Sequence, residues 1–89
     1  MNNDVYHKFI ESVVRMTGTF RASLLIEEFG VTDTTATRVI KSYSKRAPGN
    51  LRFVRTNRSY YEKSKGFKPA FPGTDPETYL LAVKTVFTG

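Results

Sequence analysis

Only four residues, Gly30-Val31-Thr32-Asp33, separate two stretches whose apolar residues recur at helical spacing. A glycine-containing link of three or four residues between helices is the mark of a helix-turn-helix. Before the link, Ala22 to Phe29 puts Leu25 and Phe29 on one face, with Leu24 widening it and Glu27 and Glu28 outward. Gly30 supplies a left-handed C-cap, and Val31 is the apolar residue that closes such a cap. No side chain suited to N-capping precedes Ala22. After the link, the side chain of Thr32 or Asp33 can accept from the first free amides of a third helix. Ala36, Val39, Ile40 and Tyr43 then line one face. At about 100° per residue, Thr34, Arg38, Lys41 and Lys45 line the opposite face. Pro48-Gly49 ends this helix and turns the chain.

The rest of the chain falls into place around that pair. A first helix is predicted from Asp4 to Thr17, stopped by Gly18, with Val5, Phe9, Val13 and Met16 as its stripe and Tyr6, Ile10 and Val14 beside them. "LRFVR" (51–55) and "SYYEK" (59–63) are rich in aromatic and β-branched residues, and the short "TNR" between them makes a β-hairpin. "GFKPAFPG" (66–73) is an extended connector whose Phe67 and Phe71 tuck against the core. A last helix starts near Asp75 with Pro76 in its first position, a place proline favours. Thr74 and Glu77 are the alternative, a capping box. Tyr79, Leu80, Val83 and Phe87 form its apolar stripe. The expected fold is α+β and mainly α: three helices, a β-hairpin wing and one C-terminal helix, a winged helix-turn-helix. Residues 1–71 form that domain, and residues 72–89 a C-terminal helix for dimerisation or linkage.

Eighty-nine residues suffice for one small domain with a modest core. With no cysteine and one histidine, the chain offers no disulfide framework, no thiolate nucleophile and no evident metal site, and no cofactor is expected. His7 reads as a surface or half-buried helix residue. Glu27 and Glu28 are adjacent, so they diverge by about 100° and cannot face each other as a catalytic carboxylate pair. The chain does not read as an enzyme. The N-terminus lacks the order of a signal peptide, and no apolar run approaches the roughly 20 residues that span a bilayer. A cytoplasmic, nucleoid-associated protein with no membrane partner is expected.

Charge is what the fold leaves over. Net charge is +6, but residues 33–68 alone hold ten bases against two acids, while the flanking segments are each slightly acidic. Segregation of that kind makes a one-sided field suited to a polyanion. In a winged helix-turn-helix the third helix enters the major groove. Thr34 and Thr35 stand at the end that approaches base edges, where hydroxyl and methyl can both make contact. Arg38, one turn on, can offer two parallel bonds to a guanine. Thr37, Lys41 and Lys45 lie where phosphates are met. Arg55, Asn57 and Arg58 cluster at the hairpin tip and suit an adjacent minor groove, whose negative potential attracts arginine. The hairpin aromatics Phe53, Tyr60 and Tyr61 read as core or wing packing. Double-stranded DNA is therefore the expected partner. A winged helix that binds only protein, for instance a phage or mobile-element factor acting on a host complex, is the alternative, and RNA binding through the hairpin aromatics a third reading.

Residues 25–71, and above all "APGNLRFVRTNRSYY" followed by "FKPAF", resemble the N-terminal winged helix-turn-helix of WYL-domain transcriptional regulators, bacterial repressors often found beside phage-defence operons. The resemblance implies a homodimeric repressor on an inverted repeat. It places Thr34, Thr35, Thr37, Arg38 and Lys41 on the recognition helix and Arg55, Asn57 and Arg58 on the wing. Members of that group continue into a ligand-sensing WYL domain, which residues 1–89 do not include, so no small-molecule ligand is expected in this chain. A dimer would use the stripe Tyr79, Leu80, Val83 and Phe87 together with the first helix; the alternative is that this stripe packs only on its own core.

Overall fold

The computed structural model describes residues 4–56 and 59–88, with side-chain surroundings for 4–56 and 59–84. Its elements run α1 (Asp4–Thr17), β1 (Thr19–Phe20), α2 (Ala22–Phe29), α3 (Asp33–Arg46), β2 (Leu51–Val54), β3 (Tyr60–Lys63) and α4 (Pro76–Thr88). The termini of the helices show why they stand where they do. Gly18 ends α1 at φ 82, its N–H donating to the Val14 carbonyl at 2.8 Å. Arg21 precedes α2 in an extended conformation with no side-chain cap, and Gly30 closes that helix at φ 68 with its N–H on the Ile26 carbonyl. Of the two capping residues open to α3, Thr32 takes the role: its Oγ1 accepts from the Thr35 N–H at 3.2 Å. Asp33 becomes the first helical residue, where its charge meets the positive end of the helix dipole.

At α4 the Thr74–Glu77 capping box does not form. Asp75 caps instead, its Oδ2 accepting from the N–H of Thr78 at 2.9 Å and from its hydroxyl at 2.7 Å. Those bonds from Thr78 hold the Asp75 carboxyl below its usual range. Pro76 takes the first helical position, where no N–H is missed.

The hairpin strands are each one residue shorter at the turn than the sequence pattern indicates. They pair antiparallel in the register Leu51↔Lys63 to Val54↔Tyr60. A third strand joins them. Thr19 and Phe20 pair with Glu62 and Tyr61, so that β3 is central in the order β1-β3-β2. The sheet thereby ties the turn after α1 to the hairpin.

The core gathers Phe9, Ile10, Val13 and Val14 from α1, Phe20, Leu25, the inner face of α3 (Ala36, Val39, Ile40, Tyr43) and Val83 from α4. Phe9 stands edge-on to Phe20 and Phe29, with ring centroids 6.0 and 5.1 Å apart. Phe67 packs against this core, and Phe71 lies under the Lys8 and Arg46 cations. Two apolar residues depart from the expected packing. Val5 and Met16 carry the α1 stripe to its two ends and are exposed there. Phe53 is 53% exposed, its ring 5.1 Å from that of Tyr61 on the neighbouring strand. It packs on the wing and not in the core.

A buried polar network joins the helices to the connector. Glu11, only 1% exposed, accepts three hydrogen bonds: Oε1 from the Tyr43 hydroxyl (2.8 Å) and the Ala70 N–H (2.7 Å), Oε2 from the Phe71 N–H (2.8 Å). The Tyr43 hydroxyl in turn accepts from Asn50 Nδ2 at 3.1 Å. Asn50 brackets Lys68, donating to its carbonyl and accepting from its N–H, each at 2.8 Å. Burial pushes the Tyr43 hydroxyl well above its usual pKa. This network gives physical content to the two most distinctive stretches of the sequence: Asn50 of "APGNL" and the backbone of "FKPAF" hold each other. Thr74 and Val5 complete the frame, their carbonyls accepting from Arg15 and from the Tyr79 hydroxyl, and so fastening α4 to α1. No helix among the described residues is long and apolar enough to cross a membrane.

Candidate nucleic-acid interface

The two sides of α3 differ sharply. Ala36, Val39, Ile40 and Tyr43 are buried, while Thr34, Thr37, Arg38, Lys41 and Lys45 are exposed. The helical period sets this division, and the apolar contacts of α1 and α2 with the inner face fix the rotation of the helix. Asp33, Thr34, Thr37, Arg38 and Lys41 line one open depression on the outer side. Lys45 lies one turn further along. Thr35 is half-buried and belongs to the cap: its N–H donates to Thr32 Oγ1, and its hydroxyl oxygen accepts from the Thr32 hydroxyl at 3.2 Å. The Thr35 proton stays available for donation.

The electrostatics sort the basic residues into two groups. Arg46 and Arg52 are engaged within the domain. Arg46 pairs with Asp4 at 2.6 Å, stacks over the Phe71 ring at 4.8 Å and lies 3.2 Å from His7 Nδ1. Its hydrogen bond holds the Asp4 carboxyl below the usual range. Arg52 pairs across the sheet with Glu62 at 2.6 Å. Arg21 lies over the Tyr60 ring, and Lys63 over Phe67. Arg38, Lys41 and Lys45 have no carboxylate partner among the described residues. These three bases stand exposed, three cations against the one acid, Asp33, of that face, as a phosphate-facing surface requires. Arg55 is exposed just beyond β2, while Asn57 and Arg58, the other two wing residues, lie outside the described residues.

His7 differs from its expected surface or half-buried place. It is 4% exposed, its ring edge-on to Tyr43 at 5.8 Å, and its Nε2 has no hydrogen-bond partner among the described residues. Burial, reinforced by the Arg46 charge and opposed by Asp4, holds its pKa below the usual value. His7 and Glu11 stand one turn apart on the same side of α1 as Ile10 and Val14. An acid set inside an apolar stripe was the signal of the buried network.

The family model of the BrxR transcriptional regulator winged helix-turn-helix domain matches residues 2–85. No curated protein matches the chain. The matched span takes in the helix-turn-helix, whose α3 carries the exposed cationic face, together with the hairpin and most of α4. On that match the chain belongs to the family of BrxR transcriptional regulator winged helix-turn-helix domains, DNA-binding domains of regulators.

Proposed function

We propose that the domain reads double-stranded DNA by sequence, with α3 in the major groove and the hairpin on the adjacent minor groove. The observation that carries this is the outer face of α3, where Arg38, Lys41 and Lys45 stand exposed with no carboxylate partner among the described residues, opposite a fully packed inner face. Arg38 offers its two parallel donors to a guanine, with Thr34 and Thr35 beside it at base edges. Thr37, Lys41 and Lys45 take phosphates and set the register. Arg55, Asn57 and Arg58 form the wing contact. The capping of α3 by Thr32 leaves further N–H groups at that end free for a phosphate.

A second copy completes the reading: a homodimer on an inverted repeat, acting as a repressor in the manner of the WYL-domain regulators that residues 25–71 resemble. In this proposal residues 1–71 are the DNA-binding unit and α4 the pairing element. Val83 is buried inside the domain, and Tyr79 and Leu80 pack partly on the same core. The surface of α4 offered to a second copy therefore includes the 69%-exposed Leu81. The Phe87 side chain lies outside the described residues. Selection of bound fragments from a random duplex library tests the whole reading. A palindromic consensus supports a dimeric sequence reader, a single half-site supports a monomeric one, and no enrichment favours the protein-binding alternative.

A further inference from the structure

A groove of about 670 Å³ opens between α1, β1, α2 and α4, and no residue of α3 lines it. Clefts that hold small molecules span about 300–1,000 Å³ and combine an apolar lining with a few convergent polar groups. Here Phe9, Val13, Phe20, Leu24 and Leu80 supply the apolar lining. Glu28 supplies the polar group: its Oε1 is buried with no hydrogen-bond partner among the described residues. A buried acceptor without a donor is costly, and a ligand that brings the donor removes the cost. The last torsion of a glutamate is soft, so the carboxyl group can turn toward the groove without leaving its rotamer. Glu27 adds a second acid to the lining. Two cations share the lining with these acids: Arg21, held over the Tyr60 ring at 5.6 Å, and Lys84 of α4, so the buried Glu28 oxygen and not the net charge of the groove selects the ligand.

We propose that this groove binds a small apolar molecule bearing an ammonium group, its hydrocarbon part against Phe9, Phe20 and Leu24 and its N–H donors on the Glu28 carboxylate. This revises the expectation that the chain takes no small-molecule ligand, and it stands independently of the DNA reading. Leu24 and Glu28 belong to α2, the first helix of the helix-turn-helix, while Phe9 and Leu80 belong to the scaffold behind it. An occupant therefore touches both at once.

The test is a titration of the ¹⁵N-labelled chain with n-hexylammonium, with n-hexanol and n-hexanoate run alongside. Hexylammonium should shift the amides of Phe20, Leu24, Glu28 and Leu80 saturably, hexanol the same amides more weakly, and hexanoate none of them. Glu28→Gln, checked as folded by its own spectrum, should weaken hexylammonium binding by about tenfold and leave hexanol binding unchanged, as expected for loss of one charge-assisted bond. Hexanoate binding as tightly as hexylammonium, an unchanged affinity in Glu28→Gln, or the absence of saturable shifts at these four amides would each overturn the proposal.

Discussion

Glu11→Gln keeps the shape of the side chain and changes one oxygen to an amide, yet it should be among the more damaging substitutions in the domain. All three partners of the Glu11 carboxylate are donors: the Tyr43 hydroxyl and the N–H groups of Ala70 and Phe71. A glutamine has one acceptor oxygen and one NH₂. If the NH₂ takes the place of Oε2 it meets the Phe71 N–H; if it takes the place of Oε1 it meets that of Ala70. In either orientation a backbone donor loses its acceptor and faces another donor. The loss of that bond together with an unsatisfied, partly buried N–H gives about 2–3 kcal/mol. For a domain of this size that is a fall of about 10–20 °C in Tm, or about 2–3 M in the urea midpoint at an m of about 1 kcal/mol/M. Tyr43→Phe is the internal comparison. It leaves Glu11 its two backbone donors and leaves Asn50 Nδ2 on the Lys68 carbonyl, so its cost should be smaller, about 1–2 kcal/mol. Urea unfolding followed by far-ultraviolet circular dichroism gives both numbers. A Glu11→Gln unfolding free energy within about 0.5 kcal/mol of the parent protein's would refute the reasoning, because substitutions at exposed sites fall in that range.

The remaining expectations concern charge. Arg38→Ala should cost about 1–3 kcal/mol on the selected duplex and relax the preference at one base pair, measured by anisotropy against duplexes mutated at each position. Lys41→Ala and Lys45→Ala should each weaken selected and random duplexes alike and lower the slope of log affinity against log salt by about one unit. His7, buried neutral, takes up its proton less readily in the folded than in the unfolded chain, whose histidine titrates near 6.5. The unfolded state thus holds more protons as pH falls through that value, and stability should decline from about pH 7 toward pH 5. His7→Asn should flatten that decline, and urea midpoints across the range would show it.

What could be read in advance was whatever the local chain decides. The bounds of α2, the glycine cap at Gly30 and the polarity of α3 all follow from neighbours within a turn or two, and the structure has them where the spacing of Leu25, Phe29, Val39 and Tyr43 puts them. The outer cationic face was legible for the same reason. What escaped depends on residues far along the chain. β1 is two residues whose strand character comes only from pairing with Glu62 and Tyr61. Glu11 and Asn50 are buried because Ala70, Phe71 and Lys68 arrive to meet them. His7 is buried beside Tyr43 and Arg46 of another helix. Val5 and Met16 mark a related limit: periodicity gives the side of a helix that faces the core but not how far the neighbouring elements extend along it. At α4 the neighbouring Thr74 and Asp75 could each have served as the cap, and only the geometry separates them.

The central claim is that the outer face of α3 meets DNA. Adding a short random duplex to the ¹⁵N-labelled chain at low salt tests it most directly. The amides of Thr34, Thr37, Arg38, Lys41 and Lys45 should shift and broaden together, reverting as salt is raised, while those of Glu11, Val14 and Leu80 stay in place. Shifts centred on α1 and α4 with the α3 amides unmoved would contradict the account.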